Sequence, residues 1–215
     1  MNCNPPAAAG RVVLVHGLWM NSLALFPMHA HLARHGFRVS RFGYASVRKV
    51  PEHNAERLAH FVESLPDDPV HLVGHSMGGV MILQMLKSHN NPRIRRVVLL
   101  GSPVTGSRAG RDLSRTVGGR WMLGRSLPLW SNGKAPQTPA GVEIGVIAGD
   151  VPLGMGRLFG RLPKPNDGVV TVEETRIDGA TDALVLHVNH TGMILSTAVA
   201  RQVCAFLKEG RFARD

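Results

Sequence analysis

The 215-residue chain is 44% hydrophobic and 19% charged, apolar enough for a packed core and too apolar for disorder. Two cysteines, Cys3 and Cys204, exclude a disulfide scaffold and a four-thiolate zinc site. Twenty arginines and five lysines against 15 acidic residues give a net charge of +10, a field that draws anionic substrates or anionic lipid surfaces. No basic run is interleaved with aromatics, which argues against a nucleic-acid partner. The start, MNCNPPAAAG, lacks the basic-then-apolar pattern of a signal peptide, and no apolar run reaches the length of a membrane span. The expectation is a soluble cytoplasmic protein without stable membrane insertion, folded as one domain over residues 1–215.

Arg11 to His16 is a short apolar run ending at Gly17 and reads as a strand buried on both faces. Asn21 to His35 carries Leu23, Phe26, Leu32 and Ala33 at helical spacings and stops at Gly36. Phe37 to Tyr44 alternates as a strand does. Glu52 to Leu65 predicts an amphipathic helix with Leu58, Phe61, Val62 and Leu65 on one face. Val70 to Gly74 is a second buried strand, followed by a helix over Met77 to Ser88 and a strand over Ile94 to Gly101. Val142 to Ala148 and Ala183 to Val188 read as the last two strands, and Met193 to Leu207 as a closing helix with Val203, Phe206 and Leu207 inward. Strands alternating with helices imply a mostly parallel sheet of about six strands, covered on both faces. The fold class is α/β.

Ser102 to Pro139 breaks this rhythm. It is rich in Gly, Pro, Ser and Arg, yet carries Trp121, Met122, Leu123, Leu127, Leu129 and Trp130. So long a connection in a compact domain is usually functional. It predicts a broken-helical cap, at about 102–139, whose apolar side lines a pocket and whose basic side faces solvent. Between Arg93 and Lys164 twelve basic residues stand against three acidic ones, Asp112, Glu143 and Asp150.

Gly74-His75-Ser76-Met77-Gly78 follows a strand and opens a helix, the context in which G-x-S-x-G forms a tight turn with an exposed serine. Glycine is required at its flanks because a Cβ there would strike the neighbouring strand and helix. The serine needs a base. Of eleven histidines, His190, in the loop after the final strand, is the preferred one, with His187 as rival; His187 sits in the strand and is expected to face the core or a neighbouring helix. His71, inside a strand, reads as a packed core residue. The base needs a carboxylate. Asp167 supplies it in the chain order Ser, Asp, His, and Asp150 is the alternative; Asp178 and Asp182 read as turn residues. Two amides must hold a developing oxyanion: Met77, after the serine, and Leu18, whose N–H Gly17 is expected to turn inward. Trp19, Trp121 and Trp130 are candidate pocket residues. No metal or cofactor is called for.

On these residues the chain resembles the α/β-hydrolase family, and the resemblance spans nearly its whole length. VVLVHGLW resembles the family's oxyanion strand and loop, GHSMGG the nucleophile turn of bacterial lipases and esterases, and NDGVV with the later NH their acid and base segments. Against that pattern the chain enters at the family's third strand and carries a short cap. The resemblance implies hydrolysis of a carboxylic ester, a small acyl ester or lipid, through an acyl-enzyme. Thioester, amide or acyl-transfer chemistry on the same three residues, and a non-catalytic binding protein of the same fold, are the alternatives.

Overall fold

The computed structural model describes residues 10–66, 69–130, 138, 140–154 and 162–214. Six strands form one parallel sheet: β1 (Arg11–Val15), β2 (Arg38–Phe42), β3 (Val70–His75), β4 (Ile94–Leu100), β5 (Glu143–Gly149) and β6 (Asp182–Leu186), in the order β2-β1-β3-β4-β5-β6. The central strands read as continuous apolar runs because both faces are covered. Val12 to Val15 and Val97 to Leu100 are fully buried. The outer strand β6 alternates between half-buried and exposed positions, as an edge does.

The helices are α1 (Phe26–Arg34), α2 (Pro51–Glu63), α3 (Met77–Ser88), α4 (Arg108–Ser114), α5 (Val117–Leu123) and α6 (Thr197–Glu209). Leu58, Val62, Met81 and Ile82 of α2 and α3 pack on one face of the sheet with Val13, Leu72 and Leu99. Met28 and Leu32 of α1 and Val203, Phe206 and Leu207 of α6 cover the other face, over Val12, Leu14 and Val98. The chain winds from β1 out to β2 and back across to β3, so the order reverses between β1 and β3. The carboxyl ends of these two strands flank the crevice where open α/β sheets place ligands.

Two expected helices are shorter than their periodicity. Asn21 to His35 divides into a 3₁₀ turn, Ser22–Leu25, and α1. The Asn21 side chain accepts from the Leu23 amide at 2.9 Å, and Pro27 opens the new helix, so the phase shifts. Leu25, Met28 and Leu32 face inward, while Leu23, Phe26 and Ala33 are exposed. Met193 to Leu207 likewise splits into a 3₁₀ turn, Gly192–Ile194, and α6, whose N-terminus is capped by the Ser196 side chain on the Val199 amide at 3.3 Å.

The irregular stretch after β4 contains α4, α5 and a 3₁₀ segment, Gly124–Trp130. Ser107 and Thr116 cap the two helices by accepting from the Gly110 and Gly119 amides, each at 3.0 Å. Its later residues, 131–137 and 139, Lys134 among them, lie outside the described residues.

Candidate active site

Ser76 sits between β3 and α3 with φ 54° and ψ −125°, a left-handed conformation that strains any residue with a Cβ. The turn is held by glycines. A Cβ on Gly74 would lie 2.5 Å from the Gly79 backbone, and one on Gly78 would lie 2.3 Å from the Val15 carbonyl oxygen. The two flanking glycines therefore meet the helix and the neighbouring strand respectively, as the sequence pattern requires. The Ser76 amide is pinned to the Leu100 carbonyl at 2.8 Å.

Behind the serine lies an Asp–His pair. His190 Nδ1 is 2.7 Å from Asp167 Oδ2, with Asp167 only 1% exposed. A carboxylate oxygen can only accept, so Nδ1 carries a proton, and in the neutral ring the lone pair is left on Nε2. The other Asp167 oxygen accepts from the Val169 and Val170 amides at 2.9 and 2.7 Å. The loop that presents it is closed on itself by a bridge between Asn166 and Thr171. The His190 amide donates to the Asp167 carbonyl at 2.8 Å, so Asp167 and His190 are tied through backbone as well as side chain.

The rival residues pair elsewhere. His187 Nδ1 meets Asp150 Oδ1 at 2.9 Å, but the His187 side chain is 87% exposed. The expectation that His187 faces the core or a neighbouring helix is thus overturned: β6 ends at Leu186, and the residue after it leaves the sheet. His71 is buried, as expected. Asp182 begins β6 rather than a turn, and holds the C-terminal segment through the Phe212 amide and the Arg214 guanidinium.

Gly17 lies against Ser76, since a Cβ there would stand 3.1 Å from Ser76 Cβ. The left-handed residue of this loop is Trp19, at φ 57°, and Gly17 gives the loop its close approach to Ser76. Leu18 lines the cavity at Ser76, and the Met77 amide stands at the N-terminus of α3, where partial positive charge gathers.

Ser76 and His190 open into a cavity of about 270 Å³. Among the described residues its walls are Leu18, Trp19, Met20, Ala109, Leu113, Leu123, Trp130, Leu153 and Val169, with no charged side chain. Trp19 and Trp130 line this cavity. Trp121 does not: it is 85% exposed on the outside of α5. On that helix Gly119 and Leu123 face inward, which turns position 121 away from the cavity.

Four residues of this region carry no assignment from the sequence. His75 is fully enclosed and its Nε2 bonds the His190 carbonyl at 3.0 Å. A carbonyl can only accept, so His75 is the neutral Nε2–H tautomer. Burial, with His190 beside it, pushes its pKa down to about 3. Gly101, at φ +52°, leaves room for the pair, because a Cβ there would lie 2.9 Å from Asp167 Oδ2 and 3.2 Å from His190 Nδ1. Buried Glu174 accepts from the Thr171 amide at 2.8 Å and from the Arg108 amide, joining the Asp167 loop to the start of α4. Tyr44 donates to the His16 carbonyl at 2.8 Å and stacks on the His16 ring. Only His75 lies in a recognisable motif; the others act through contacts far apart in the chain.

A parallel sheet with a serine on a strained strand-to-helix turn beside its switch point is the frame of the α/β-hydrolase class. The chain belongs to the alpha/beta hydrolase family, which it matches over residues 12–205. Among solved structures it is similar to the propeptide form of the Bacillus licheniformis lipase BlEst2, with a TM-score of 0.77 and 19% identity over 100% of this chain and 53% of that one. A metagenomic carboxyl esterase gives 0.67 and 20% over 86% of this chain and 65% of that one. The enol-lactonase of Burkholderia xenovorans LB400 gives 0.68 and 18% over 96% and 94%. The chain thus spans between half and two thirds of the length of the first two, and identities this low establish a common fold. No curated protein sequence matches it. No helix among the described residues is long and apolar enough to cross a membrane.

Proposed function

We propose that the protein is a carboxylic ester hydrolase acting on small esters with apolar acyl groups. The observation that carries this reading is Ser76 on its strained turn, opening with His190 into an uncharged apolar cavity while buried Asp167 holds the far side of the His190 ring. Ser76 Oγ attacks the ester carbonyl, and His190 Nε2 takes its proton and returns it to the leaving alcohol. The ionised Asp167 keeps the useful tautomer and stabilises the imidazolium. The amides of Leu18 and Met77 hold the oxyanion. Water then repeats the sequence on the acyl-enzyme.

The cavity lies near the lower end of the roughly 300–1,000 Å³ typical of ligand pockets, which favours short to medium acyl chains. Charged acyl groups would lose hydration with nothing to replace it. The esterase and lipase named among the similar structures support the same class of reaction. The test is a series of p-nitrophenyl esters of increasing chain length, with wild type and Ser76→Ala, together with a serine-directed organophosphate. Turnover that peaks at short to medium chains and vanishes in Ser76→Ala, with label on Ser76, is expected. Label on another serine, or turnover that survives Ser76→Ala, would overturn the reading.

A further inference from the structure

The outer face of α5 carries adjoining exposed apolar residues among arginines. Val117 and Trp121, one helical turn apart, are 90% and 85% exposed, and Met122 follows at 39%. Single exposed apolar residues are ordinary, but an adjoining set on one short helix is not. Arg115, Arg120 and Arg125 stand out from the same stretch, all exposed. Its one carboxylate between Ser102 and Val142, Asp112, is paired with Arg115 at 3.2 Å. The neighbouring loop extends the charge. The Arg125 amide donates to the Val47 carbonyl at 2.9 Å, which brings exposed Arg48 and Lys49 alongside. Glu52 is the nearest acid on that side in the chain.

The same face meets the mouth of the cavity. Trp19 lines the cavity, is 43% exposed, and donates from its indole Nε1 to the Met122 carbonyl at 2.9 Å.

We propose that this face docks the protein on an anionic lipid bilayer, with Val117, Trp121 and Met122 entering the headgroup region and the surrounding cations meeting lipid phosphates. A tryptophan beside aliphatic side chains, ringed by arginines, suits the boundary between headgroups and acyl chains. Each arginine near such a surface strengthens binding by about fivefold. Nucleic acid fits the face less well, because Val117 and Met122 gain nothing from a phosphate backbone and offer bases no stacking surface. A second copy fits less well too, since a two-fold contact would set the same arginines against each other. The assignment does not depend on catalysis.

The test is sedimentation of the full chain with vesicles of phosphatidylcholine alone, or with a third phosphatidylglycerol, at low and high salt. Binding to the anionic vesicles, weakened by salt, is expected, with quenching of tryptophan fluorescence by brominated acyl chains that Trp121→Phe reduces. Val117→Ser/Trp121→Ser should bind about tenfold or more weakly, yet hydrolyse a water-soluble ester as wild type does. Arg120→Glu/Arg125→Glu should lose binding, whereas Arg34→Glu/Arg201→Glu, on the α1–α6 side of the sheet, should keep most of it. Equal losses in both double reversals would assign binding to net charge alone and overturn the proposal. So would wild-type binding by the serine double variant, or equal binding to neutral vesicles. Lipid-free self-association removed by Val117→Ser/Trp121→Ser, or duplex DNA displacing the vesicles from the same residues, would give the face to another partner.

Discussion

The nucleophile turn and the cap border one cavity but are held together by different physics. At the turn, backbone meets backbone: Gly74 and Gly78 stand where a Cβ would fall 2.5 and 2.3 Å from main-chain atoms, and Val12 to Val15 and Val97 to Leu100 of the neighbouring strands are fully buried. The cap rests on short helices and a few polar ties, from Trp19 to Met122, Arg125 to Val47 and Glu174 to Arg108. Its one large buried aromatic is Trp130, packed over Gly110 and bonded to Ser126 at 3.1 Å. A turn made of interlocked backbone holds a reacting group to a fraction of an ångström. A cap of this kind sets the shape of a pocket and leaves its outer face for other uses.

The largest effects should fall at the turn and its partners. Ser76→Ala should lower kcat by roughly 10⁴-fold or more with the melting temperature nearly unchanged, and Asp167→Asn by roughly 10⁴-fold, because the amide favours the wrong His190 tautomer. Steady-state kinetics beside thermal unfolding would check both; Asp150→Asn proving the more damaging change would move the acid to the exposed pair. In the cap, Trp130→Ala should cost about 3 kcal/mol of stability and shift preference toward longer acyl chains, read from the same ester series by the ratio of kcat/KM values.

Acid should separate the two regions as well. The cap stretch from Ser102 to Pro139 has no histidine, whereas the sheet buries His71, whose pKa burial pushes down to about 4, with Arg96 and Arg95 adding to the shift. The unfolded chain therefore binds a proton that the folded chain refuses between the ordinary histidine value and about 4. Stability should fall as pH drops through that window, by roughly 3 kcal/mol from His71, with His75 acting in the same direction. His71→Gln should flatten the dependence of urea midpoints on pH between 7 and 4; an unchanged slope would remove His71 from the account. The smallest effect belongs to Trp121→Ala. Its exposure predicts a stability change within about 0.5 kcal/mol and unaltered KM for a soluble ester, which distinguishes the cap's outer tryptophan from its inner one.

The strands and the nucleophile motif were legible because they depend on local pattern. Continuous apolar runs at β1, β3 and β4 mark strands covered on both faces, and G-x-S-x-G states the turn's steric demand in five residues. Helix phase was less legible. Asn21 and Pro27 reset the register within a stretch whose spacing suggests one helix, so Leu25 and Met28 face inward and Leu23 does not. The contact of Gly17 with Ser76 and the left-handed backbone at Trp19 are set by tertiary packing and have no counterpart in local spacing.

Within the cap, composition announced tryptophans and arginines but not their sides. Trp121 and Trp130 are equivalent as letters; only the packing of Gly119 and Leu123 against the body sends one outward while the other closes the cavity. The same holds for the two Asp–His pairs, where Asp150–His187 and Asp167–His190 are both within hydrogen-bonding reach, at 2.9 and 2.7 Å. The sequence by itself determined the parallel α/β sheet, the serine's turn and a short set of histidines and carboxylates, because those follow from periodicity and from local sterics. Tertiary structure alone decided which pair is buried beside Ser76, that His75 and Gly101 shape its surroundings, and which cap face meets solvent. Burial and direction are properties of contacts between segments far apart in the chain, and no local spacing encodes them.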